Sequence, residues 1–244
     1  MKAVAVFSIK GGVGKSATAV NLAHAAATSG GRRTLLWDLD SQGAATYLLE
    51  LSPKSSSKAR AALAGDASFA DLVQASRYPN LDVLPADRSL RRLEGDLAQS
   101  DKLKVLKKHL KSLDGDYDRV IIDCPPGLSE LADRLFRAVD LIVTPLLPSP
   151  LSERALEQLL ADLRKTHGGK PPVLPVWSMV DRRKRLHRET IASHSERLAI
   201  PYAAAIEAMA VKRAPIGATA PQSEASRAFS SIWSAVEMLL LQKG

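Results

Sequence analysis

One cysteine, Cys124, stands among 244 residues, so no intramolecular disulfide can form, and no Cys/His spacing suggests zinc. A reducing cytoplasm fits that poverty. No run of about 18 apolar residues is present to span a bilayer. The chain enters β-branched residues after one lysine, without a long apolar segment or small-residue cleavage site, and no secretory signal is expected. No stretch reads as a linker long enough to divide the chain, which predicts one domain over residues 1–244. What is present is ordinary for a globular protein, with 45% hydrophobic and 25% charged residues. Lys+Arg 34 against Asp+Glu 26 leaves a net charge of +8. That excess favours polyanionic partners, nucleic acid first and an anionic membrane surface second.

The densest chemistry lies near the N-terminus, in SIKGGVGKSATA from Ser8 to Ala19. Met1 to Ile9 is short and β-branched-rich, as a buried parallel strand would be, and Ser16 to Thr28 is Ala-rich and helix-compatible. Gly11, Gly12 and Gly14 lie between them and let backbone N–H groups approach an anion. A helix N-terminus adds partial positive charge. Lys15 supplies a formal charge for β- and γ-phosphates, and the Ser16 hydroxyl can ligate Mg²⁺. The strict pattern G-x-x-x-x-G-K-[ST] is not met, because Ile9 occupies the first glycine position and Lys10 stands at the front of the loop.

Three more strand signals follow. Thr34 to Leu39 runs into Asp38-Leu39-Asp40-Ser41-Gln42-Gly43, and ligands of open α/β sheets collect at such strand ends. Asp38 and Asp40 can equally be turn formers or helix caps there. Leu81 to Ala86 is another strand, followed by leucines from Leu90 to Leu113 at mostly helical spacing, interrupted near Ser100-Asp101. Lys102, Lys104, Lys107, Lys108 and Lys111 occupy that stripe's other face, as a solvated surface or a binding one. Val120 to Ile122 places Asp123 where a Walker B carboxylate would approach magnesium, before a Pro125-Pro126-Gly127 turn. Residues 52–66 read as a surface connection with a short helix.

Downstream, Asp140 to Leu147 reads as a strand and Leu151 to Lys165 as a helix with Leu151, Ala155, Leu159 and Leu163 inward. Val173 to Val180 follows, its Pro175 pointing to an edge or a bulge. The run Asp181-Arg182-Arg183-Lys184-Arg185-Leu186-His187-Arg188 carries five cations in seven residues from Arg182. It is either a contact patch for phosphate backbone or a solvated loop. Lys212 and Arg213 could extend it. Ile200 to Ile206 reads as the last strand, and Glu224 to Leu241 as an amphipathic helix whose Phe229, Ile232, Trp233, Val236, Leu239 and Leu240 dock on the sheet.

KGGVGKS resembles the variant P-loop of the ParA/MinD group of dimeric ATPases. DLDSQGAAT from Asp38 resembles that group's DxDPQGNAT, with Ser41 for proline and Ala44 for asparagine, and DCPP from Asp123 resembles its third segment. The resemblance covers nearly the whole chain and is strongest at residues 8–22, 34–46 and 119–127. No helix-turn-helix extension precedes the P-loop, so the likeness is to short ParA-type partition ATPases. It implies a doubly wound, mostly parallel sheet with helices on both faces. It also implies ATP and Mg²⁺ as cofactors, with Gly11, Gly12, Val13, Gly14, Lys15, Ser16 and Ala17 on the phosphates and Ser16, Asp38 and Asp123 around the metal. Ala17 departs from the group's usual threonine or serine.

By the same resemblance Lys10 reaches the partner subunit's nucleotide, Asp40 orients the attacking water, and Met179, Asp181 and Pro215 lie near adenine. ATP then closes a homodimer that binds non-specific DNA through Arg182, Arg183, Lys184, Arg185, Arg188, Lys212 and Arg213. A ParB-like or cargo-adaptor protein stimulates slow hydrolysis, at the nucleoid. The alternative is a MinD-like membrane cycle through the C-terminal helix, against which its mixed polar face argues. A metal- or redox-delivering ATPase is disfavoured by the lone cysteine.

Overall fold

The computed structural model describes residues 1–54, 59, 61, 71–92 and 105–242. Its strands are β1 (Lys2–Val6), β2 (Thr34–Asp38), β3 (Gln74–Ala75), β4 (Leu81–Leu84), β5 (Arg119–Asp123), β6 (Leu141–Leu146), β7 (Val173–Val180) and β8 (Ala199–Pro201). Its α-helices are α1 (Lys15–Thr28), α2 (Ala44–Leu48), α3 (Val105–Ser112), α4 (Glu130–Phe136), α5 (Pro150–His167), α6 (Arg185–Ala192), α7 (Ala204–Lys212), α8 (Ile216–Thr219) and α9 (Glu224–Leu241). The strands form one sheet in the order β3-β4-β2-β5-β1-β6-β7-β8. Every pairing is parallel except β3 with β4. This is the doubly wound arrangement, and the first strand lies centrally, between β5 and β6.

Strict alternation along the central strands sorts their side chains between two layers. Val4, Val6, Leu36 and Ile121 pack beneath α1 and α9, whereas Ala5, Phe7, Trp37 and Ile122 pack against α3, α4 and α5. Both faces are therefore dry, and near-continuous apolar strands are what a covered parallel sheet requires. α1 is so rich in alanine that it sits close to the sheet and to α9 and is buried on nearly all sides. α9 is held at its far end by Glu237, whose carboxylate accepts from Arg119 Nε at 2.7 Å and Nη2 at 2.8 Å. Phe229, Ile232, Trp233, Val236 and Leu240 are buried on its inner side, with Leu239 partly covered.

Several expectations change. Ile200 to Ile206 is not one strand: β8 ends at Pro201, and the alanine-rich residues beyond form α7, consistent with alanine's helix propensity. In α5 the inner face is Ser152, Ala155, Leu156, Leu159 and Leu163, and Leu151 is 66% exposed. Ser149 caps that helix by accepting from Ser152 N, which turns Ser152 rather than Leu151 inward. β7 is interior, yet Pro175 is accommodated. Trp177 N donates to Leu198 O, and two residues earlier the Pro175 nitrogen faces the same side, where β8 has not begun to pair. An irregularity lies between Trp177 and Val180, as a bulge would.

The leucine stripe is split in the structure. A 3₁₀ turn, Arg88–Arg92, carries Leu90 inward, and α3 buries Leu106 and Leu110, with Leu113 beyond it. Residues 93–104, with Lys102 and Lys104, lie outside the described residues, as does most of the 52–66 connection. Among the described residues no helix is long and apolar enough to cross a membrane.

Candidate functional site

β1 delivers the chain to the C-terminal edge of the sheet, where the loop from Ser8 to Gly14 wraps into α1. Gly12 and Gly14 take φ of 72° and 84°, a region that side chains other than glycine rarely adopt. At Gly14 space is short as well, since a Cβ would stand 3.1 Å from Ser178 Oγ at the end of β7. Gly14 occupies the N-cap of α1 without a capping side chain, and the first turn holds no acidic residue. The leading N–H groups of the helix are thus left for something outside it. Lys15 is buried and folds back, its Nζ 3.5 Å from the Lys10 carbonyl oxygen.

Beneath this loop lie two carboxylates. Asp38 and Asp123 close β2 and β5 as register partners on strands about 4.8 Å apart, and alternation puts them on the face of Leu36 and Ile121, under α1. Both are inaccessible to solvent. Asp38 Oδ2 accepts from the Thr46 N–H and hydroxyl, each at 2.7 Å, which ties the start of α2 to the end of β2. Asp38 Oδ1 and both Asp123 oxygens have no hydrogen-bond partner among the described residues. Burial raises the Asp38 pKa to about 6, against the opposing pull of the Thr46 hydrogen bonds and with a further push from Asp40. Burial and the facing Asp38 hold Asp123 well above the usual carboxylate range, although Ser16 and Lys15 pull the other way. The same burial pushes the adjoining Cys124 thiol up.

Asp40 differs from both. It is partly exposed, its Oδ1 accepts from Gln42 N at 2.9 Å, and its carbonyl accepts from Gly43 N at 2.9 Å. The turn-forming role is therefore real, and it points the chain into α2. Asp40 also lines a cavity of about 550 Å³ together with Gly11, Gly12, Gly14, Lys15 and Ser16. Ala17 joins that wall, with Pro125 and Pro126 elsewhere on the lining, while Val13 is buried and Lys10, half-buried, is not among the lining residues. Arg91 and Leu90, delivered by the 3₁₀ turn, complete the cavity. Their position just after the C-terminal end of β4 is the signal a sequence offers for them, since ligands of such sheets sit at strand ends.

A second cavity of about 570 Å³ shares Ala17 and Gln42 with the first and is mostly apolar, with Met179, Tyr202, Ile206 and Met209 in its walls. Met179 holds φ at 54°. The three residues expected near adenine are dispersed. Met179 lines this second cavity, but Asp181 does not, being engaged by Arg183 through Nε at 2.8 Å and Nη2 at 2.9 Å, which draws its pKa down to about 2. Pro215 is buried at the N-cap of α8 and lines neither cavity.

The basic run forms the turn before α6 and its exposed first turns. Its cations differ in availability. Arg183 is taken by Asp181, Arg185 by Glu189 at 2.7 Å, and Arg188 donates to the Arg182 and Arg183 carbonyls. Arg182 and Lys184 have no carboxylate partner among the described residues. His187 Nδ1 accepts from Asp181 N, a structural role. Lys212 is exposed at the end of α7, and Arg213 is held against Tyr47, 4.6 Å above its ring with Nε donating to the Tyr47 carbonyl.

Known proteins are similar to this chain in sequence and in fold. The protein family described as an AAA domain matches residues 1–172. The chromosome partitioning protein ParA of Caulobacter vibrioides (strain NA1000 / CB15N) is 33% identical over 197 residues, which cover 78% of this chain and 73% of that protein. The sporulation initiation inhibitor protein Soj of Bacillus subtilis (strain 168) is 37% identical over 165 residues, covering 67% and 65%. Among solved structures, cobyrinic acid a,c-diamide synthase from Mycobacterium smegmatis with bound ATP analog and magnesium is similar at a TM-score of 0.80 and 28% identity, over 97% of this chain and 94% of that one. With the loop from Lys10 to Ser16 placed against Asp40 and Asp123 on a doubly wound sheet, the chain belongs to the ParA/MinD family of Walker-type ATPases.

Proposed function

We propose that residues 1–244 act as one ATP-hydrolysing domain that dimerises around ATP, binds DNA without sequence preference in that state, and positions a large cargo such as a plasmid or chromosome. The observation that carries the nucleotide reading is the pair of buried carboxylates with three unpaired oxygens beneath an uncapped helix N-terminus. Such oxygens are costly to leave unmade, and a hard cation accompanied by phosphate satisfies them. The residues present fit Mg²⁺ with ATP. Ser16 and Asp123 would hold the metal, Asp123 through water, with Asp38 supporting from behind. When bound, Mg²⁺ would neutralise charge building on the β- and γ-phosphates.

The chain's own groups do the rest. The N–H groups from Gly11 to Ala17 and the Lys15 ammonium would bind the phosphates, and Asp40, on the partly exposed rim, would orient the attacking water. The base would enter the apolar cavity that begins at Ala17, against Met179 and the Tyr202 loop. Lys10, half-buried at the front of the loop, would reach across a dimer interface, where a cation would steady the partner's phosphates much as an arginine finger does.

Dimer closure would join two basic surfaces, so DNA affinity would rise through effective concentration. Arg182, Lys184 and Lys212 would be the readiest to engage DNA, while Arg183, Arg185 and Arg188 would contribute as their internal partners release them. Arg213 stands apart from this surface, held on Tyr47. A ParB-like or cargo-adaptor protein would stimulate a slow intrinsic turnover, in the cytoplasm and at the nucleoid. Measuring duplex DNA binding with ATP and with ADP across a salt series tests the reading. Binding that requires ATP and falls steeply with salt is expected, and equal binding with ADP would refute the switch.

A further inference from the structure

We propose that a third cavity, beside the phosphate cavity and built around Arg88, Arg91 and Arg213, is a binding site for a small phosphate-bearing anion distinct from the nucleotide at the P-loop. It measures about 440 Å³ and shares Ser41, Gln42 and Arg91 with the phosphate cavity. Its size falls in the range of small-molecule sites, roughly 300–1,000 Å³.

The arginines carry the argument. Arg88 and Arg91 have no ion-pair partner among the described residues, and Arg213 uses only Nε, donated to the Tyr47 carbonyl at 3.1 Å. Its remaining guanidinium N–H groups have no partner there, so a planar fork is free to meet phosphate oxygens in pairs. One carboxylate, Asp87, also lines the cavity, but its oxygens are taken. They accept from Ala59 N and from the N–H and hydroxyl of Ser89. Asp87 keeps its negative charge but makes no ion pair with the arginines, so three guanidinium groups face a single carboxylate and the wall is cationic on balance.

Arg213 is also built into place. It sits at a backbone φ of 47°, its guanidinium stacks on Tyr47, and its carbonyl accepts from Arg77 Nη2 at 2.7 Å. Arg77 reaches Glu50 at 2.6 Å, and Glu50 itself holds a φ of 60°. Two left-handed residues joined through one arginine hold this wall in a conformation of the strained kind that gathers at ligand clamps. A concave cavity suits a discrete anion better than a DNA strand, whose phosphates lie on a convex surface.

The test uses the full chain carrying Lys15→Ala, which disables the P-loop, titrated calorimetrically with pyrophosphate. One site is expected. Arg88→Glu, at a residue that does not line the phosphate cavity, and separately Arg213→Gln should each weaken binding about tenfold or more, the scale of one charge-assisted hydrogen bond removed. Arg182→Glu should leave it unchanged. No binding to the Lys15→Ala chain, or binding indifferent to Arg88→Glu, would overturn the proposal. So would a DNA duplex that loses affinity on Arg88→Glu while pyrophosphate does not bind. Arg88→Glu in the otherwise unaltered chain should still bind ATP, which separates failure here from failure of the nucleotide reading.

Discussion

Two charge-dense regions of this molecule handle their charges in opposite ways. At the ends of β2 and β5, two carboxylates are shut from solvent with three of their four oxygens unpaired. On the turn and helix after β7, the cations are exposed, and Arg183 and Arg185 hold carboxylates of their own. An unpaired buried charge is expensive and is relieved by neutralising or by acquiring a partner from outside. An exposed ion pair is worth about 0–1 kcal/mol and leaves its cation less available to others. The first region is therefore incomplete as a structural element, whereas the second is stable as it stands and gains a role only when a polyanion arrives.

The largest effect expected from breaking this contrast is at Lys15. Lys15→Ala removes the lysine that lines the phosphate cavity and should weaken ATP binding by about 100-fold, on the order of 2–3 kcal/mol, as read by fluorescent-nucleotide titration. Retained affinity would place the phosphates elsewhere.

The second effect is on stability without magnesium. A carboxyl whose pKa rises from 3.8 to about 6 on folding contributes stability that is whole below its unfolded value and is lost as pH climbs through its folded value. Asp38→Asn escapes that loss. In a chelator, its stability relative to the unaltered chain should grow between pH 4 and pH 7.5 by up to about 3 kcal/mol, measured by urea unfolding at each pH. A constant difference would mean that the buried pair is not strained in the empty site.

The smallest effect sharpens the other side of the comparison. Charge reversal at the unpaired Arg182 and Lys184 should lower the salt slope of DNA binding by roughly 0.9 for each phosphate left without its cation. Reversal at Arg183 and Arg185, already engaged, should lower it less.

These contrasts are unevenly legible in the sequence. The loop from Ser8 to Gly14, the strands ending at Asp38 and Asp123 and the docking of α9 can be read from local spacing, because a strand-glycine-lysine-helix order and an apolar stripe are short-range patterns. The pairing of Asp38 with Asp123 cannot, since it depends on β2 and β5 lying side by side, 85 positions apart in register. Arg91 has only its place after the end of β4 to mark it, and that β4 lies beside β2 is again a non-local fact. Pro215 falls outside the cavity wall because the chain between β8 and α9 folds into two helices and Pro215 is buried at the start of the second. Spacing alone turns Leu151 inward, and spacing carries no information about where a capping serine sets the first turn.

The claim on which most depends is that the buried pair waits for a cation brought by nucleotide. The direct measurement is the melting temperature of the full chain and of Asp123→Asn, each with and without Mg²⁺ and ATP at pH 7.5. Magnesium with ATP should raise the melting temperature of the unaltered chain well above that with ATP in a chelator, and the metal-dependent increment should vanish in Asp123→Asn. An equal magnesium-dependent increment in both proteins would contradict the account.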